Sequence, residues 1–201
     1  MMTKGEKMKE YTSIKQKLKT LLKEDRYIHT LATQREAVKL AKNYGADPEK
    51  ASLAALLHDC AKNMEPEAMI DILSKQYIKL DDIERKNTAL LHGKAGRVMA
   101  KFKFNVTDED ILNAIEYHTT GKENMTLLQK IIFLADVIEE TRTYEGVEEV
   151  REVAYENLDK AIVMSLNRTI LSILKKGYLL HPNTVNARNY LIMEREEKMK
   201  D

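Results

Sequence analysis

The sequence predicts an all-α domain built as a helical bundle. Apolar residues recur at helical spacing along most of the chain, strand signals are weak, and capping residues, prolines and glycines divide the pattern into helix-length pieces joined by short connections. Met8 to Leu22 carries apolar residues at helical spacing among lysines. Asp25 to Tyr44 continues in the same period, and Gly45 serves as its C-terminal stop. Asp47-Pro48 is an N-cap followed by proline in the first turn, opening a helix to about Ala61. Pro66 opens the next, through Leu73. Thr88 to Phe102, Thr107 to His118 and Thr126 to Glu140 follow. Thr107 acts as a threonine cap on an acidic first turn. Gly146 to Lys176 is a long pattern broken near Asn157 and ended by Gly177, and His181-Pro182 starts a last helix that runs into a charged tail. No linker, internal repeat or low-complexity segment interrupts the 201 residues, so the expected organisation is one domain spanning 1–201.

Composition narrows the function classes. A formal net charge of +1 gives no global basic field for nucleic acid. The only cysteine, Cys60, excludes an internal disulfide framework and fits a reducing cytoplasm. The N-terminus MMTKGEKMKEY is charged, with no apolar stretch behind it, and does not read as a secretory signal. No apolar run approaches the roughly 20 residues of a membrane span, and the longest candidate, Ile131 to Ile138, is interrupted by Asp136.

The informative residues are the polar ones that break this apolar pattern. In AALLHDCAK, four apolar residues run into His58 and Asp59, and Lys62 follows one turn on. His29 lies inside an amphipathic helix, His92 opens HGKAG, His118 ends a helix in EYHTT beside Thr119, and Asp136 sits among large aliphatics. Burying such groups without partners costs several kcal/mol each, roughly 2–7 for a neutral polar group. Taken singly, each histidine has an ordinary reading as a satisfied core or surface group, and Asp136 as a helix cap or a partner of Arg142. Taken together they are the nitrogen and oxygen donors used by iron, manganese and zinc, carried on separate helices of a bundle. The absence of a thiolate cluster argues against structural zinc.

The order His29, His58-Asp59, His92, His118, Asp136 is similar to the H…HD…H…H…D pattern of HD-domain metal-dependent phosphohydrolases. RYIHT, AALLHDCAK, LLHGKAG, AIEYHTTG, MTLLQKIIFLADVIE and HPNTVNARN together resemble the YqeK family of bacterial HD-domain proteins. The resemblance runs from about Glu24 to Leu191, leaving the first 20 or so residues as an N-terminal helical extension, and no expected metal position departs from the pattern. It implies an HD-domain helical bundle that splits diadenosine tetraphosphate (Ap4A) symmetrically into two ADP at an iron-containing site, with manganese or another first-row divalent metal as the alternative ion. By the same resemblance, His29, His58, Asp59 and Asp136 hold the metal. His92 and His118 either face the phosphates or hold a second metal that shares Asp59. A homodimer is implied by the family alone.

The chemistry adds further expectations. Asp59 can orient or deprotonate water, and Lys62 can neutralise phosphate charge from the same face. Arg142 can reach a phosphate bidentately or pair with Glu139 or Glu145. In HPNTVNARN, Pro182 at a first helical position leaves the following backbone N–H groups free for an anion. Thr184 and Arg188 add donors, so His181, Pro182, Asn183, Thr184 and Arg188 form an expected nucleotide-binding end piece. The competing functions are an HD phosphohydrolase acting on another nucleotide, a non-catalytic ADP or nucleotide sensor, and a metal-free interaction domain. The intact ligand set argues against the last.

Overall fold

The computed structural model describes residues 4–198. Among these the secondary structure is helical, with no strand. α1 (Lys4–Leu21) leads into α2 (Glu24–Tyr44), which Gly45 ends in the left-handed region at φ 70° with its N–H on the Ala41 carbonyl. Asp47 caps α3 (Pro48–Leu57) by accepting from the N–H groups of Glu49 and Lys50. The sequence pattern extends α3 to about Ala61, but the helix stops at Leu57. Beyond it the chain tightens into three-residue bonds, Cys60 N–H to Leu57 O, Lys62 N–H to Asp59 O and Met64 N–H to Ala61 O. His58 and Asp59 therefore sit at a helix end, His58 still with helical dihedrals (φ −54°, ψ −42°) and Asp59 in the tighter turn that follows.

α4 (Pro66–Lys75) is followed by α5 (Asp82–Lys86), a one-turn helix absent from the sequence expectation because five residues carry no readable period. It is held by a capping box between Asp81 and Glu84. Thr88 to Leu90 forms a 3-10 turn, and α6 (Leu91–Lys103) begins after it. α7 (Glu109–Tyr117) is capped by Asp108 rather than Thr107, and α8 (Leu127–Ile138) by a Thr126–Gln129 capping box. The expected break at Asn157 separates α9 (Val147–Glu156) from α10 (Leu158–Lys175), and α11 (Pro182–Lys198) closes the described chain.

α8 is the hub. Leu128, Ile131, Ile132, Phe133, Leu134, Ala135 and Ile138 are all buried, so it is apolar almost all round. α2, α3, α7, α9 and α10 pack on it. Small residues let neighbours come close: Ala51, Ala54 and Ala55 line α3 with no exposed surface. One apolar cluster runs from Ile14 of α1 to Leu191 of α11. No helix among the described residues is long and apolar enough to cross a membrane.

The α6–α7 approach positions two histidines and depends on glycine. A Cβ added at Gly93 would lie 2.4 Å from the Glu116 carbonyl oxygen, a backbone atom that cannot swing away. At Gly96 it would meet Ile115 Cγ2 at 3.2 Å and His58 O at 3.4 Å. Gly93→Ala is therefore expected to cost about 1–3 kcal/mol of stability through overpacking, and Gly96→Ala less. Denaturant unfolding of both variants checks this order, and equal stability of Gly93→Ala and wild type would mean that the helices separate without penalty.

Candidate metal centre

Six side chains from five helices or their ends converge. His29 comes from the middle of α2, His58 and Asp59 from the end of α3, His92 from the first turn of α6, His118 from the residue after α7, and Asp136 from the last turn of α8. All are buried except Asp136, whose side chain is 17% exposed. The four imidazoles stand in a row, edge to face, with ring centroids 5.3 Å apart for His29–His58, 5.0 Å for His58–His118 and 4.9 Å for His92–His118.

Three rings are fixed the same way. His58 Nδ1 donates to Ala55 O at 2.7 Å, His92 Nδ1 to Ala89 O at 2.5 Å and His118 Nδ1 to Ile115 O at 2.7 Å, each three residues back at a helix terminus. A carbonyl oxygen only accepts, so the proton is on Nδ1 and Nε2 presents a lone pair inward. His29 Nδ1 instead donates to Glu139 Oε1 at 3.0 Å.

The interior is consequently acceptor facing acceptor. Asp59 Oδ1 lies 3.2 Å from His92 Nε2 and 3.4 Å from His118 Nε2, and these two nitrogens are 3.1 Å apart. Asp59 Oδ2 lies 3.5 Å from His58 Nε2 and 3.8 Å from His29 Nε2, with 3.3 Å between the nitrogens. Asp136 Oδ1 is 2.9 Å from His29 Nε2 and 3.8 Å from His58 Nε2. Asp59 Oδ1 is a fully buried oxygen with no hydrogen-bond donor. One carboxylate thus stands between two imidazole pairs, one oxygen to each. A buried oxygen without a donor, ringed by nitrogen lone pairs, fits a cation.

Charge in the cluster follows. Burial opposes ionisation of Asp59; when His58, His118 and His92 also carry a proton on Nε2, the charge of His58 and the hydrogen bonds from the three rings outweigh it and hold its carboxyl well below the usual range. Asp136 is lowered likewise, against burial, by His29, His58 and Arg142. Burial pushes the His29 imidazole down, yet Asp136 and Glu139 raise it above its ordinary value. His92 is lowered by burial, His118 and Lys62. Cys60, next to Asp59, has its thiol pushed up to about 12 by burial and the neighbouring carboxylate, so it stays protonated.

The other expected residues fall in three places. Lys62 Nζ is 3.2 Å from His92 Nε2 and 4.0 Å from Asp59 Oδ1. The Thr119 hydroxyl is 3.1 Å from His92 Nε2 and 3.0 Å from His118 Nε2. Arg142 lies beyond the end of α8, donating from Nη2 to Asp136 Oδ1 at 2.6 Å and from Nε to the Asp136 carbonyl at 2.8 Å. His181 and Asn183 share a cavity of about 190 Å³ with Thr119, Thr120 and Tyr117, which joins them to the histidine cluster through Thr119.

The start of α11 departs from expectation. The Asn183 N–H donates to His181 Nδ1 at 3.2 Å and the Thr184 N–H to His181 O at 3.1 Å, so His181 takes up the backbone donors that the sequence left free. Thr184 is buried and Pro182 exposed. Arg188 donates to Asn167 Oδ1 and Asn189 Oδ1, away from the imidazoles' contacts. His181 Nε2 donates to Asp81 Oδ2 at 2.9 Å, while Glu84 Oε2 takes Lys94 Nζ at 2.7 Å and the Asp81 N–H at 3.0 Å. This second grouping of acids and a histidine alternates donors with acceptors and needs no ion.

The HD domain family matches residues 26–141, the span from just before His29 to just after Asp136. A protein of Halalkalibacterium halodurans named symmetrical bis(5'-nucleosyl)-tetraphosphatase is 42% identical over 181 residues, covering 90% of this chain and 96% of its own length. A Bacillus subtilis protein of the same name is 39% identical, covering 87% and 94%. The chain belongs to the HD-domain family and to its symmetrical bis(5'-nucleosyl)-tetraphosphatase branch. A crystal structure from Clostridium acetobutylicum, described as a predicted HD superfamily hydrolase involved in NAD metabolism, superposes with a TM-score of 0.90 at 48% identity, covering 92% of this chain and 97% of that one.

Within this HD fold, three side chains that the sequence did not place among the site residues support the ligand set, Glu139 being expected only as a partner of Arg142, which lies 3.5 Å from it. Glu139, fully buried, orients His29 and is itself bonded by the Thr141 N–H and hydroxyl, both at 2.6 Å. The extended backbone at Glu139 (φ −54°, ψ 159°) ends α8 and turns that carboxylate inward, which periodicity does not reveal. Arg151 donates to the carbonyls of Ile138, Glu139 and Arg142, closing the end of α8 and fixing the turn that carries Arg142. Arg26 donates to Asp59 and was readable in RYIHT, one turn before His29. Glu139→Ala is expected to lower divalent-metal affinity about tenfold to a hundredfold, the usual effect of losing a ligand's orienting carboxylate, with helix content unchanged. Metal titration followed by circular dichroism of the same sample checks it. Undiminished affinity would show that His29 is held without Glu139.

Proposed function

We propose that the chain hydrolyses Ap4A symmetrically to two ADP in a metal-dependent reaction. The observation that carries this reading is Asp59, whose two oxygens each face a pair of imidazole lone pairs at the centre of a buried cluster. The names of the relatives supply the substrate. His29, His58, Asp59 and Asp136 would hold one divalent ion, iron in our reading and manganese as the alternative. His92 and His118, with the other oxygen of Asp59, would hold a second ion or face the phosphates. A bound divalent ion supplies Lewis acidity and lowers the pKa of water towards about 7.

The chain's own residues do the rest. Asp59 Oδ1, which has no donor from the protein, would accept a hydrogen bond from a water and so aim it. Lys62 places an ammonium beside His92 and Asp59, where it neutralises phosphate charge building towards the leaving group. The Thr119 hydroxyl lies against both imidazoles of that half and donates to a phosphate oxygen there. Arg142 holds Asp136 and presents the rest of its fork to the nucleotide. We keep His181, Pro182, Asn183, Thr184 and Arg188 as the nucleotide-binding end piece: His181 and Asn183 line the cavity shared with Thr119, and Arg188 would join them by exchanging its Asn167 bond for a phosphate oxygen. We further place the HD core at residues 24–191 of a single domain, with 1–20 an extension, in a cytoplasmic homodimer.

Incubation of metal-replete protein with Ap4A, followed by ion-exchange separation, tests the reaction. ADP as the sole product is expected. AMP with ATP would mean asymmetrical cleavage, and no turnover would favour a sensor or another nucleotide. Elemental analysis of protein purified without chelator is expected to find iron or another first-row metal. Asp59→Ala is expected to abolish hydrolysis and metal retention together, and a fully active variant would make the His58-Asp59 pair structural.

A further inference from the structure

Arg26 stands at the edge of the cluster with no part in the reaction described so far. It lies on α2 one turn before His29, and its Nη1 donates to Asp59 Oδ2 at 2.9 Å. That oxygen is the one turned to His29 and His58. The Arg26 side chain is 26% exposed and that of Asp59 2%, so the guanidinium stands between a buried carboxylate and solvent. A guanidinium carries five N–H donors in a planar fork, and among the described residues the Arg26 side chain makes this one hydrogen bond. Arginine–carboxylate pairs are frequently bidentate, with two parallel bonds. Arg26 makes one, and its part-exposed guanidinium keeps further N–H donors uncommitted to Asp59.

Two further cations repeat the arrangement. Arg142 bonds Asp136 and Lys62 lies against His92 and Asp59, and each is 32% exposed. Arg26 and Arg142 thus flank the His29 half of the cluster and Lys62 the other. With a divalent cation sharing the negative charge of Asp59 and Asp136, the part-exposed side chains of Arg26, Arg142 and Lys62 would leave a positive surplus at this edge of the cluster. Such a surplus favours a polyanion over a neutral ligand.

We propose that Arg26 is a phosphate-binding residue. The part of its guanidinium not committed to Asp59 takes oxygens of the nucleotide's phosphate chain on the His29 side of the site. The inference rests on the nucleotide reading above and adds to it a residue that holds the anion while touching a metal-facing carboxylate.

The test is calorimetric titration of ADP into manganese-loaded wild type, Arg26→Gln and Arg26→Lys, with metal content measured on each sample. Arg26→Gln is expected to keep its metal and bind ADP about tenfold to a hundredfold more weakly, as loss of a charge-assisted bond implies. Arg26→Lys, which keeps the charge without the fork, is expected to fall between. ADP affinity of Arg26→Gln equal to wild type overturns the proposal. So does loss of metal in both variants, which would make Arg26 a support of Asp59 only. If wild type binds no ADP, the nucleotide reading fails separately and inorganic tripolyphosphate is titrated instead. Binding that weakens in Arg26→Gln then upholds the phosphate role, and binding that is unchanged or absent overturns it.

Discussion

The centre of this protein is a set of acceptors aimed at one another. Hydrogen bonds normally fill a polar interior by alternating donors with acceptors. Here the backbone prevents that. Three imidazoles spend their proton on a carbonyl three residues back, so what remains points inward as lone pairs, towards carboxylates held ionised. Such an arrangement is costly unless a positive charge enters. Arginine and lysine at the rim supply part of that charge from the chain itself.

The apolar architecture exists to hold this polar arrangement. α8, buried on nearly every side, fixes Asp136 relative to α2 and so to His29. α3 delivers His58 and Asp59 at its C-terminal end, where the chain passes into three-residue turns. Gly93 and Gly96 let α6 come close enough to α7 for His92 and His118 to meet. These contacts use ordinary packing forces. Their precision is needed because the donor atoms they bring together repel and cannot correct their own positions.

Much of this was legible in the chain. Helix caps at Asp47 and Thr126, and the break at Asn157, mark boundaries because a cap uses a specific side chain at a specific position. The six cluster residues were legible because each violates the apolar pattern around it. What escaped lies in places without a period. α5 is too short to show one. Glu139 turns inward only because the backbone at α8's end is extended, a tertiary result. The free N–H groups expected after Pro182 are taken by His181, whose ring folds back on its own helix start. Arg188 carries the charge a phosphate needs, yet finds Asn167 on a neighbouring helix, and only the packing of α11 on α10 decides that.

The carbonyl anchors of His58, His92 and His118 have one more consequence. Each ring is oriented within its own helix end, so its direction is set by local backbone. The distance between rings is set by how closely whole helices approach. Direction and distance are therefore controlled by different parts of the sequence. The spacing of the ligating atoms is accordingly written in residues that ligate nothing themselves, the glycines and alanines that set helix separation.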